Sequence, residues 1–455
     1  MYQRLSANLG NLLLSLSDSL DLVDPLIALH QQRTAFISWE MGKAAKLSDD
    51  AIERLFVAGL LHDIGALSPE EKISLHEFEC RDVTTHALRG SVLLKTVPWL
   101  RSSADLVRYH HHDWHSWNEP ITNPVVLGSQ ILYLADYLER IIKRNVFILH
   151  QDEYLMEKIA SLSGIAVHAD VVGLFRTISQ REEFWLDLVS PRLYSRLLHH
   201  GPYRRVEIDL SSITAVGELF RNIIDFRSRF TSTHSSGVSE CAGILARLFG
   251  FSDAEADLMR VAGNFHDIGK LAVPNAIIDK PGKLTREEFA VIRQHTYFTY
   301  SILNTIGGLQ NLAEWAAFHH ERLDGSGYPF HHDAGRIGTG SRIMAVADIF
   351  TALAEDRPYR AGLGYEDIKK ILKEQADRNY IDKRIVGLVL ENYDSIARTV
   401  KERQTATKDF YELQFAVIGA DTPRFAQVMT TGSLIPAILN TTSVISKRPC
   451  ELVAV

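Results

Sequence analysis

Cysteine is scarce in this chain, and its three cysteines stand at spacings that suggest no pairing. This scarcity excludes a disulfide framework and a thiolate zinc site, and it fits a reducing cytoplasm. The sequence has no run of about 18 or more apolar residues, the length that a membrane-spanning helix needs. The N-terminus also lacks the basic region followed by an apolar one that marks a secretion signal. We therefore expect a soluble, cytoplasmic protein without membrane insertion.

Net positive charge is also lacking, because the formal net charge is −7 at pH 7. A negative chain does not attract the phosphate backbone of a long nucleic acid, so we expect no such partner. A small anionic substrate would need a local basic cluster instead. Candidate members of such a cluster lie in the second half of the chain: Lys270, Lys280, Lys283, Arg342, Arg357 and Arg360.

Strand-like alternation is rare, whereas helical periodicity is present in nearly every segment outside the loops. With an apolar fraction of 46% over 455 residues, the chain can fill the cores of two or three domains. The exceptions are RVEIDL (205–210) and ELQFAVIG (412–419), either of which can form a short strand. The expected fold class is all-α with little strand.

The chain contains the same helical segment twice. LSDDAIERLFVAGLLHDIG ends in the pair His62-Asp63, and FSDAEADLMRVAGNFHDIG ends in the pair His266-Asp267. A serine lies 14 residues before each of these histidines and is a natural N-cap, and Ser252 can form a capping box with Glu255. Each half is therefore predicted to contain a helix that ends by presenting a histidine and an aspartate.

The correspondence extends to four further histidines and one aspartate in each half. The first histidine precedes the His-Asp pair by 32 residues in both halves, and a later one precedes a His-His pair by 24 in both. An apolar helix that carries one aspartate follows. These residues are His30, His86, His110, His111 and Asp136 in the first half and His234, His295, His319, His320 and Asp348 in the second.

A repeat of about 200 residues indicates duplicated domains rather than a solenoid. Helical patterning is interrupted between residues 190 and 209, which places the boundary there. The predicted units are residues 1–200, residues 201–400 and an extension at 401–455. The extension matches neither repeat, and we expect it to pack against the second domain.

Clustered imidazoles and carboxylates favour a metal centre, because iron and manganese prefer such ligands. Lys270 lies one turn after His266 and therefore on the same face. The segment HHERLDGSGYP (319–329) adds a glycine-containing loop with one aromatic residue. The second half thus combines a predicted metal centre with a small-ligand pocket.

In both halves these residues resemble the HD superfamily of metal-dependent phosphohydrolases, and the second half resembles its HD-GYP branch. The resemblance rests on HDIGK (266–270), VPNAIIDKPGKLTREEF (273–289), HHERLDGSGYP (319–329) and RPYR (357–360). It implies a helical enzyme that binds two or three metal ions, usually iron or manganese. It also implies hydrolysis of a cyclic dinucleotide, typically cyclic di-GMP.

The resemblance assigns roles to individual positions. The implied metal ligands are His234, His266, Asp267, His295, His319, His320 and Asp348. The implied catalytic residues are Asp267 and Lys270, and the implied substrate contacts are Lys270, Gly325, Gly327, Tyr328, Arg357 and Arg360. Phe230 stands where three-metal members carry a glutamate, so two metals are expected. Thr296 and Thr351 also depart from the pattern, which bears on substrate choice more than on catalysis.

The first half has the complete ligand set without the substrate-binding residues. A second metal site is therefore possible at His30, His62, Asp63, His86, His110, His111 and Asp136. However, Ala66 takes the position of Lys270, and HDWHSWNEP replaces the glycine loop. Trp114 and Trp117 can line a nucleotide pocket there or pack in the core. We favour a structural or regulatory role for this half, and an independent phosphohydrolase with another substrate stays open.

Three classes of function are compatible with these features. The leading hypothesis is a metal-dependent phosphodiesterase that opens a cyclic dinucleotide to a linear dinucleotide, with further cleavage to mononucleotides left open. Cyclic di-GMP is the favoured substrate and 3',3'-cyclic GMP-AMP the main alternative, because the motif residues contact phosphate rather than base. The other classes are a non-catalytic cyclic-dinucleotide sensor and a phosphohydrolase acting on mononucleotides. A homo-oligomer and signalling-protein partners are compatible with each of them.

Overall fold

The structure is a computed structural model that describes residues 7–22, 24, 27–77, 82–227, 233–356 and 361–421, with side chains as far as 413. Within these ranges the fold is helical, and its only sheet has two strands. The predicted all-α fold class is confirmed. No helix in the described ranges is both long and apolar enough to span a bilayer.

The first half is a succession of helices joined by short connections. Its helices are α1 (Leu9–Leu20), α2 (His30–Ala44), α3 (Asp49–Leu61), α4 (Pro69–His76), α5 (Thr84–Lys95), α6 (Ala104–Arg108), α7 (Pro124–Ile141), α8 (Asp152–Ala160), α9 (Ala169–Ser179), α10 (Glu182–Leu188) and α11 (Leu193–His200). Short 3-10 turns lie at Arg101–Ser103, Trp114–Ser116 and Ile148–His150.

The second half repeats this helical organisation. Its helices are α12 (Leu210–Phe226), α13 (His234–Phe249), α14 (Asp253–Phe265), α15 (Asn275–Ile278), α16 (Arg286–Asn304), α17 (Gln310–Ala317), α18 (Thr339–Ala354), α19 (Tyr365–Asp377), α20 (Lys383–Glu391) and α21 (Tyr393–Asp421). Its 3-10 turns lie at Ile268–Ala272 and Phe318–His320.

Helix α1 lies between the two halves. Strand β1 (Ala7–Asn8) precedes it and pairs antiparallel with β2 (Glu207–Ile208), so the predicted strand at 205–210 is confirmed for two residues. The side-chain amide of Asn11 donates to the carbonyl of Thr305 in the second half at 3.1 Å. α1 is buried on nearly every face, as expected for a helix with few charged side chains. It packs against the turn Ile268–Ala272, close to the second His-Asp pair.

The other predicted strand, 412–419, is wrong, because these residues belong to α21. No proline or glycine interrupts the chain from Tyr393 to Ile418, so the helix continues through an apolar run too short to distinguish helix from strand. The described part of the extension packs against the second domain as expected. The ring of Tyr411 lies 4.6 Å from that of Phe226. Residues 422–455 lie outside the described residues.

Both predicted helix starts are present, and both helices end beside a histidine. Ser48 accepts a hydrogen bond from Ala51 N, and Ser252 forms the predicted capping box with Glu255. α3 and α14 stop directly before His62 and His266. Main-chain carbonyls in the last turn of a helix have no intrahelical partner, so they are free to orient these side chains.

Candidate metal centre and substrate loop

The seven predicted ligands of the second half converge on one cluster. They are contributed by α13, by the end of α14, by α16, by the turn Phe318–His320 and by α18. Two triads have all their ligand atoms within 4.8 Å of one another: His234, His266 and Asp348, and His295, His319 and His320. Asp267 lies between them, with Oδ2 3.2 Å from His266 Nε2 and Oδ1 3.4 Å from His295 Nε2.

Main-chain carbonyls fix the orientation of three of these imidazoles. His266 Nδ1 donates to Gly263 at 2.8 Å, and His295 Nδ1 and His319 Nδ1 donate to the carbonyls three residues before them at 2.7 Å. A carbonyl can only accept, so Nε2 of each neutral ring carries a lone pair. Yet His295 Nε2 and His319 Nε2 lie 3.3 Å apart. Two lone pairs at this distance repel each other unless a cation lies between them, so the arrangement fits metal ligands.

The electrostatics of the cluster fit the same interpretation. Burial lowers the pKa of His295 to about 3 and that of His320 to about 4, so both rings are neutral at neutral pH, as metal binding would require. Burial alone would raise the pKa of Asp267, but His266 and Lys270 hold it well below its usual range. Asp267 Oδ1 is buried and accepts no hydrogen bond from the described residues. A buried anionic oxygen of this kind is open to a cation.

His234 is held by a carboxylate that no sequence motif predicted. Its Nε2 lies 3.0 Å from Asp348 Oδ1, and its Nδ1 lies 3.2 Å from Glu355 Oε1. Burial alone would lower the pKa of His234, but Glu355 and Asp348 raise it to about 10. A carboxylate on the far nitrogen of a ligand imidazole orients the ring and increases its basicity.

Lys270 lies at the edge of the cluster. Its ammonium donates to Asp267 Oδ2 at 2.7 Å, and its side chain is 22% exposed. Two other members of the predicted basic cluster have partners of their own, since Lys280 binds Glu288 and Arg342 binds Asp382. The predicted substrate contacts Arg357 and Arg360 lie outside the described residues.

The loop after the histidine pair is organised by Glu321, which lies inside the HHERLDGSGYP segment but was given no role from the sequence. Its buried carboxylate accepts hydrogen bonds from the main chain of Phe330 at 2.7 Å and of His332 at 3.0 Å. Gly325 has a φ of 78°, and a Cβ on Gly327 would lie 2.4 Å from Arg322 N. Both glycines are therefore required by the folding of the loop itself, which is a sufficient reason for them without a ligand.

Tyr328 is the aromatic residue of this loop. Its ring lies 5.0 Å from that of His320, and its main-chain N–H donates to the carbonyl of the same residue at 3.2 Å. The loop is thereby attached directly to a predicted metal ligand. Tyr328 is thus a predicted substrate contact that lies beside the cluster of the second half.

The first half reproduces the cluster. Its seven predicted ligands also converge, with His30, His62 and Asp63 forming one triad and His86, His110 and His111 another. His62 Nδ1 donates to Gly59 at 3.0 Å and His110 Nδ1 to Val107 at 2.6 Å. His86 Nε2 and His110 Nε2 lie 3.3 Å apart, as in the second half.

An arginine distinguishes the first cluster from the second. Arg140 lies 3.0 Å from Asp136 Oδ2 and also donates to the carbonyl of Leu75 at 2.6 Å, at the end of α4. The corresponding position four residues after Asp348 is Ala352. The guanidinium thus occupies one carboxylate oxygen and ties α4 over the cluster. Arg140 belongs to no motif and lies outside the repeated ligand positions, so the sequence alone did not predict its role.

Other side chains complete the first cluster. Glu139 Oε2 lies 2.6 Å from His30 Nδ1, as Glu355 lies beside His234. Glu139 follows Asp136 by three residues, whereas Glu355 follows Asp348 by seven. The two glutamates therefore do not align when the repeats are superimposed, and the repeat does not reveal them. Trp117 is half-buried and packs against Tyr109, with ring centroids 5.2 Å apart.

Comparison with known proteins places these clusters in a family. The HD domain family matches residues 27–141 and residues 218–385. The 3'3'-cGAMP-specific phosphodiesterase 1 of Vibrio cholerae is 29% identical over 85% of this chain and 92% of its own length. A cyclic di-GMP phosphodiesterase response regulator of Xanthomonas campestris is 35% identical over 40% of this chain and 49% of its own length. A crystal structure of a cyclic GMP-AMP-specific phosphodiesterase of V. cholerae has the same fold, with a TM-score of 0.59 and 23% identity over 87% of this chain and 98% of that one. The chain therefore belongs to the HD superfamily, with two tandem HD domains of which the second carries the HD-GYP motif.

Proposed function

We propose that this protein is a metal-dependent phosphodiesterase that hydrolyses a cyclic dinucleotide in its second HD domain. The observation that carries the proposal is the convergence of His266, His295 and His319 on Asp267, with their Nε2 lone pairs directed inward. Lys270 and Tyr328 adjoin this cluster. The Vibrio relative named for such an activity aligns with 85% of the chain, which supports the same assignment here.

The second cluster is proposed to hold two divalent ions, iron or manganese. One would bind to the triad of His234, His266 and Asp348, and the other to the triad of the remaining histidines, with Asp267 between them. Imidazole and carboxylate ligands of this number suit such ions. When bound, two divalent ions supply an activated water molecule and neutralise the phosphoryl oxygens.

The side chains around the cluster are proposed to bind and orient the phosphate. The Lys270 ammonium lies 2.7 Å from Asp267 Oδ2, so it can reach a phosphate oxygen beside that carboxylate. Its hydrogen bond to the phosphate strengthens as negative charge builds in the transition state. Arg357 and Arg360 are proposed to bind the second phosphate, because arginine offers two parallel donors to such a group.

Two substrates remain candidates. Cyclic di-GMP was favoured from the sequence motif, and a relative named for that substrate aligns with 40% of the chain. The relative named for 3'3'-cGAMP aligns with 85% of it, which favours 3',3'-cyclic GMP-AMP for the chain as a whole. Both substrates present the same phosphodiester to the cluster, so base recognition separates them.

The experiment is turnover of cyclic di-GMP, 3',3'-cyclic GMP-AMP and cyclic di-AMP by the full chain loaded anaerobically with Fe²⁺ or Mn²⁺. Mononucleotides are assayed beside them, and metal content is measured on the same sample. We expect a linear dinucleotide from at least one cyclic substrate and no product from the His266→Ala variant. Binding without turnover would identify a sensor instead, and turnover of mononucleotides alone would identify another kind of HD phosphohydrolase.

The first HD domain is proposed to have a structural or regulatory role and to bind metal without hydrolysing the substrate. Its ligand geometry supports metal binding, whereas Arg140 and α4 cover the cluster and Ala66 replaces the lysine. The cytoplasmic location, the domain limits at 200 and 400, and homo-oligomeric or signalling partners remain predictions.

A further inference from the structure

An exposed stripe of side chains runs along α16, the helix that carries His295. Phe289, Arg293 and Tyr297 follow one another at four-residue spacing and therefore share one face of the helix. Tyr297 is 52% exposed, which is unusual for so large a ring, and Arg293 is also exposed. His295, by contrast, is buried and belongs to the metal cluster. The helix thus contributes a ligand on one side and an aromatic and cationic stripe on another.

The stripe borders the loop that contacts the cluster. The ring of Phe289 lies 6.0 Å from that of Tyr328, whose other neighbour is His320. The ring of Tyr297 lies 6.4 Å from that of Phe330, two residues further along the same loop. Both ends of the stripe therefore meet the loop, and the end at Phe289 is one ring away from a predicted metal ligand.

The charges along this border are positive. The Arg293 guanidinium lies over the ring of Phe289 at 5.5 Å, and that of Arg322 lies over the ring of Tyr380 at 4.3 Å. Within the described ranges neither arginine forms an ion pair with a carboxylate. Arg322 follows the histidine pair by two residues, and the Phe289 ring under Arg293 is the ring that lies 6.0 Å from Tyr328. An anion bound at the cluster would meet these two positive charges.

We propose that Phe289, Arg293 and Tyr297 form a subsite for the part of a cyclic dinucleotide that is not cleaved. Tyr297 stacks on a purine base, and Arg293, in its position over Phe289, adds one donor to those proposed above for the second phosphate. This inference rests on the proposed function, because it requires a substrate with bases and two phosphates. Aromatic stacking is worth about 1–3 kcal/mol per base, and arginine pairs well with phosphate.

The first domain supports the assignment by contrast. The residues two before and two after His86 are Thr84 and Leu88, where the second domain has Arg293 and Tyr297. Leu88 is buried, so neither a cation nor an exposed ring is present at these positions. The stripe accompanies the glycine-tyrosine loop and is missing from the half that lacks that loop.

The test compares Arg293→Ala and Tyr297→Ala with wild type in the metal-loaded full chain. Arg384→Ala is the matched control, because that guanidinium also lies over a phenylalanine ring, Phe249, at 4.1 Å on another helix. Two substrates are used: the cyclic dinucleotide that wild type prefers, and bis(p-nitrophenyl) phosphate, which has one phosphodiester and no purine. Binding of the cyclic dinucleotide is also measured by calorimetry in an Asp267→Asn background.

We expect KM for the cyclic dinucleotide to rise about 5- to 150-fold in each stripe variant, which corresponds to the loss of one stacked base or one phosphate contact. The ratio of kcat/KM between the cyclic and the p-nitrophenyl substrate should fall by the same factor, and calorimetric affinity should weaken with it. Arg293→Lys should recover part of the loss. An unchanged ratio in both stripe variants would overturn the subsite. A wild type that cleaves only the p-nitrophenyl substrate would instead overturn the proposed function.

Discussion

Gly269, the glycine of the HDIGK segment, provides a sharp test of how the proposed metal centre is held together. A Cβ built on this residue would lie 1.9 Å from the main-chain oxygen of His295. A carbon and a carbonyl oxygen approach to about 3.3 Å, so Gly269→Ala must separate the turn from α16 by roughly 1.4 Å. Because the turn follows Asp267 and α16 carries His295, this displacement moves two predicted ligands apart.

The expected consequences can be estimated. Overpacking of this kind costs about 1–3 kcal/mol of stability, and a 1 Å misplacement of catalytic groups can lower the rate about 10²-fold. We therefore expect Gly269→Ala to bind less metal and to have a kcat lowered by about 10²-fold or more. The assays are thermal unfolding, metal content per chain, and turnover of the preferred cyclic dinucleotide.

Two other glycines serve as controls. A Cβ on Gly387, in α20, would meet no atom of another element within 4 Å, so Gly387→Ala should stabilise the helix by about 0.5–1 kcal/mol and leave turnover intact. A Cβ on Gly65 would lie 2.0 Å from the carbonyl oxygen of His86, which reproduces the clash in the first half. Gly65→Ala should therefore lose metal from the first cluster but keep the kcat of the second domain, unlike Gly269→Ala. Wild-type metal content and turnover in Gly269→Ala would refute the reasoning.

The same geometry leads to three further predictions. Lys270→Ala should keep its metal and lower kcat by roughly 10²–10³-fold if the ammonium stabilises the transition state; an unchanged rate would remove it from the mechanism. His110→Ala and His319→Ala should each lower metal content, but only His319→Ala should abolish turnover, and inactive His110→Ala with a filled second cluster would contradict this. Burial raises the pKa of Asp225 from 3.8 to about 6, so its contribution to stability is present below pH 3.8 and is lost as the pH rises through 6. Asp225→Asn, whose amide oxygen can still accept from Ser235 Oγ, should therefore raise the free energy of unfolding by about 1–3 kcal/mol at pH 8 and by little at pH 4, as denaturant titrations at the two pH values would show.

The sequence was sufficient to predict which imidazoles and carboxylates meet, because duplication supplies a second copy of every spacing. A lone histidine carries little information, but His30 and His234 lie at equal distances from their His-Asp pairs, and both reach a cluster. The helix starts were equally accessible, because the capping box at Ser252 is a local pattern. Both predictions depend on interactions that recur at fixed sequence spacing.

Features that depend on tertiary contacts were not accessible in this way. The apolar residues of segment 412–419 are too few to distinguish a strand from a helix by their spacing. The segment is helical because α21 continues through it. Gly327 was assigned to ligand approach, although contact with Arg322 N is reason enough for a glycine. Arg140 carried no motif, and its role depends on the end of α4 lying over Asp136.

The two clusters share two of the carbonyl hydrogen bonds that orient their histidines, at His62 and His110 and at His266 and His319, and differ in the groups that surround them. In each half an imidazole after the last helical turn donates to the carbonyl three residues earlier, so a helix end and a ligand are specified by the same local geometry. A metal ligand set can therefore persist in a duplicated domain while the substrate side changes. Beside Asp136 a guanidinium neutralises one carboxylate oxygen of the first cluster, whereas in the second cluster the Lys270 ammonium lies on Asp267. The Lys270 side chain is 22% exposed and accessible to a substrate, whereas the Arg140 side chain is 9% exposed and enclosed, so the residues that suit a metal and those that suit a substrate are separable in the HD fold.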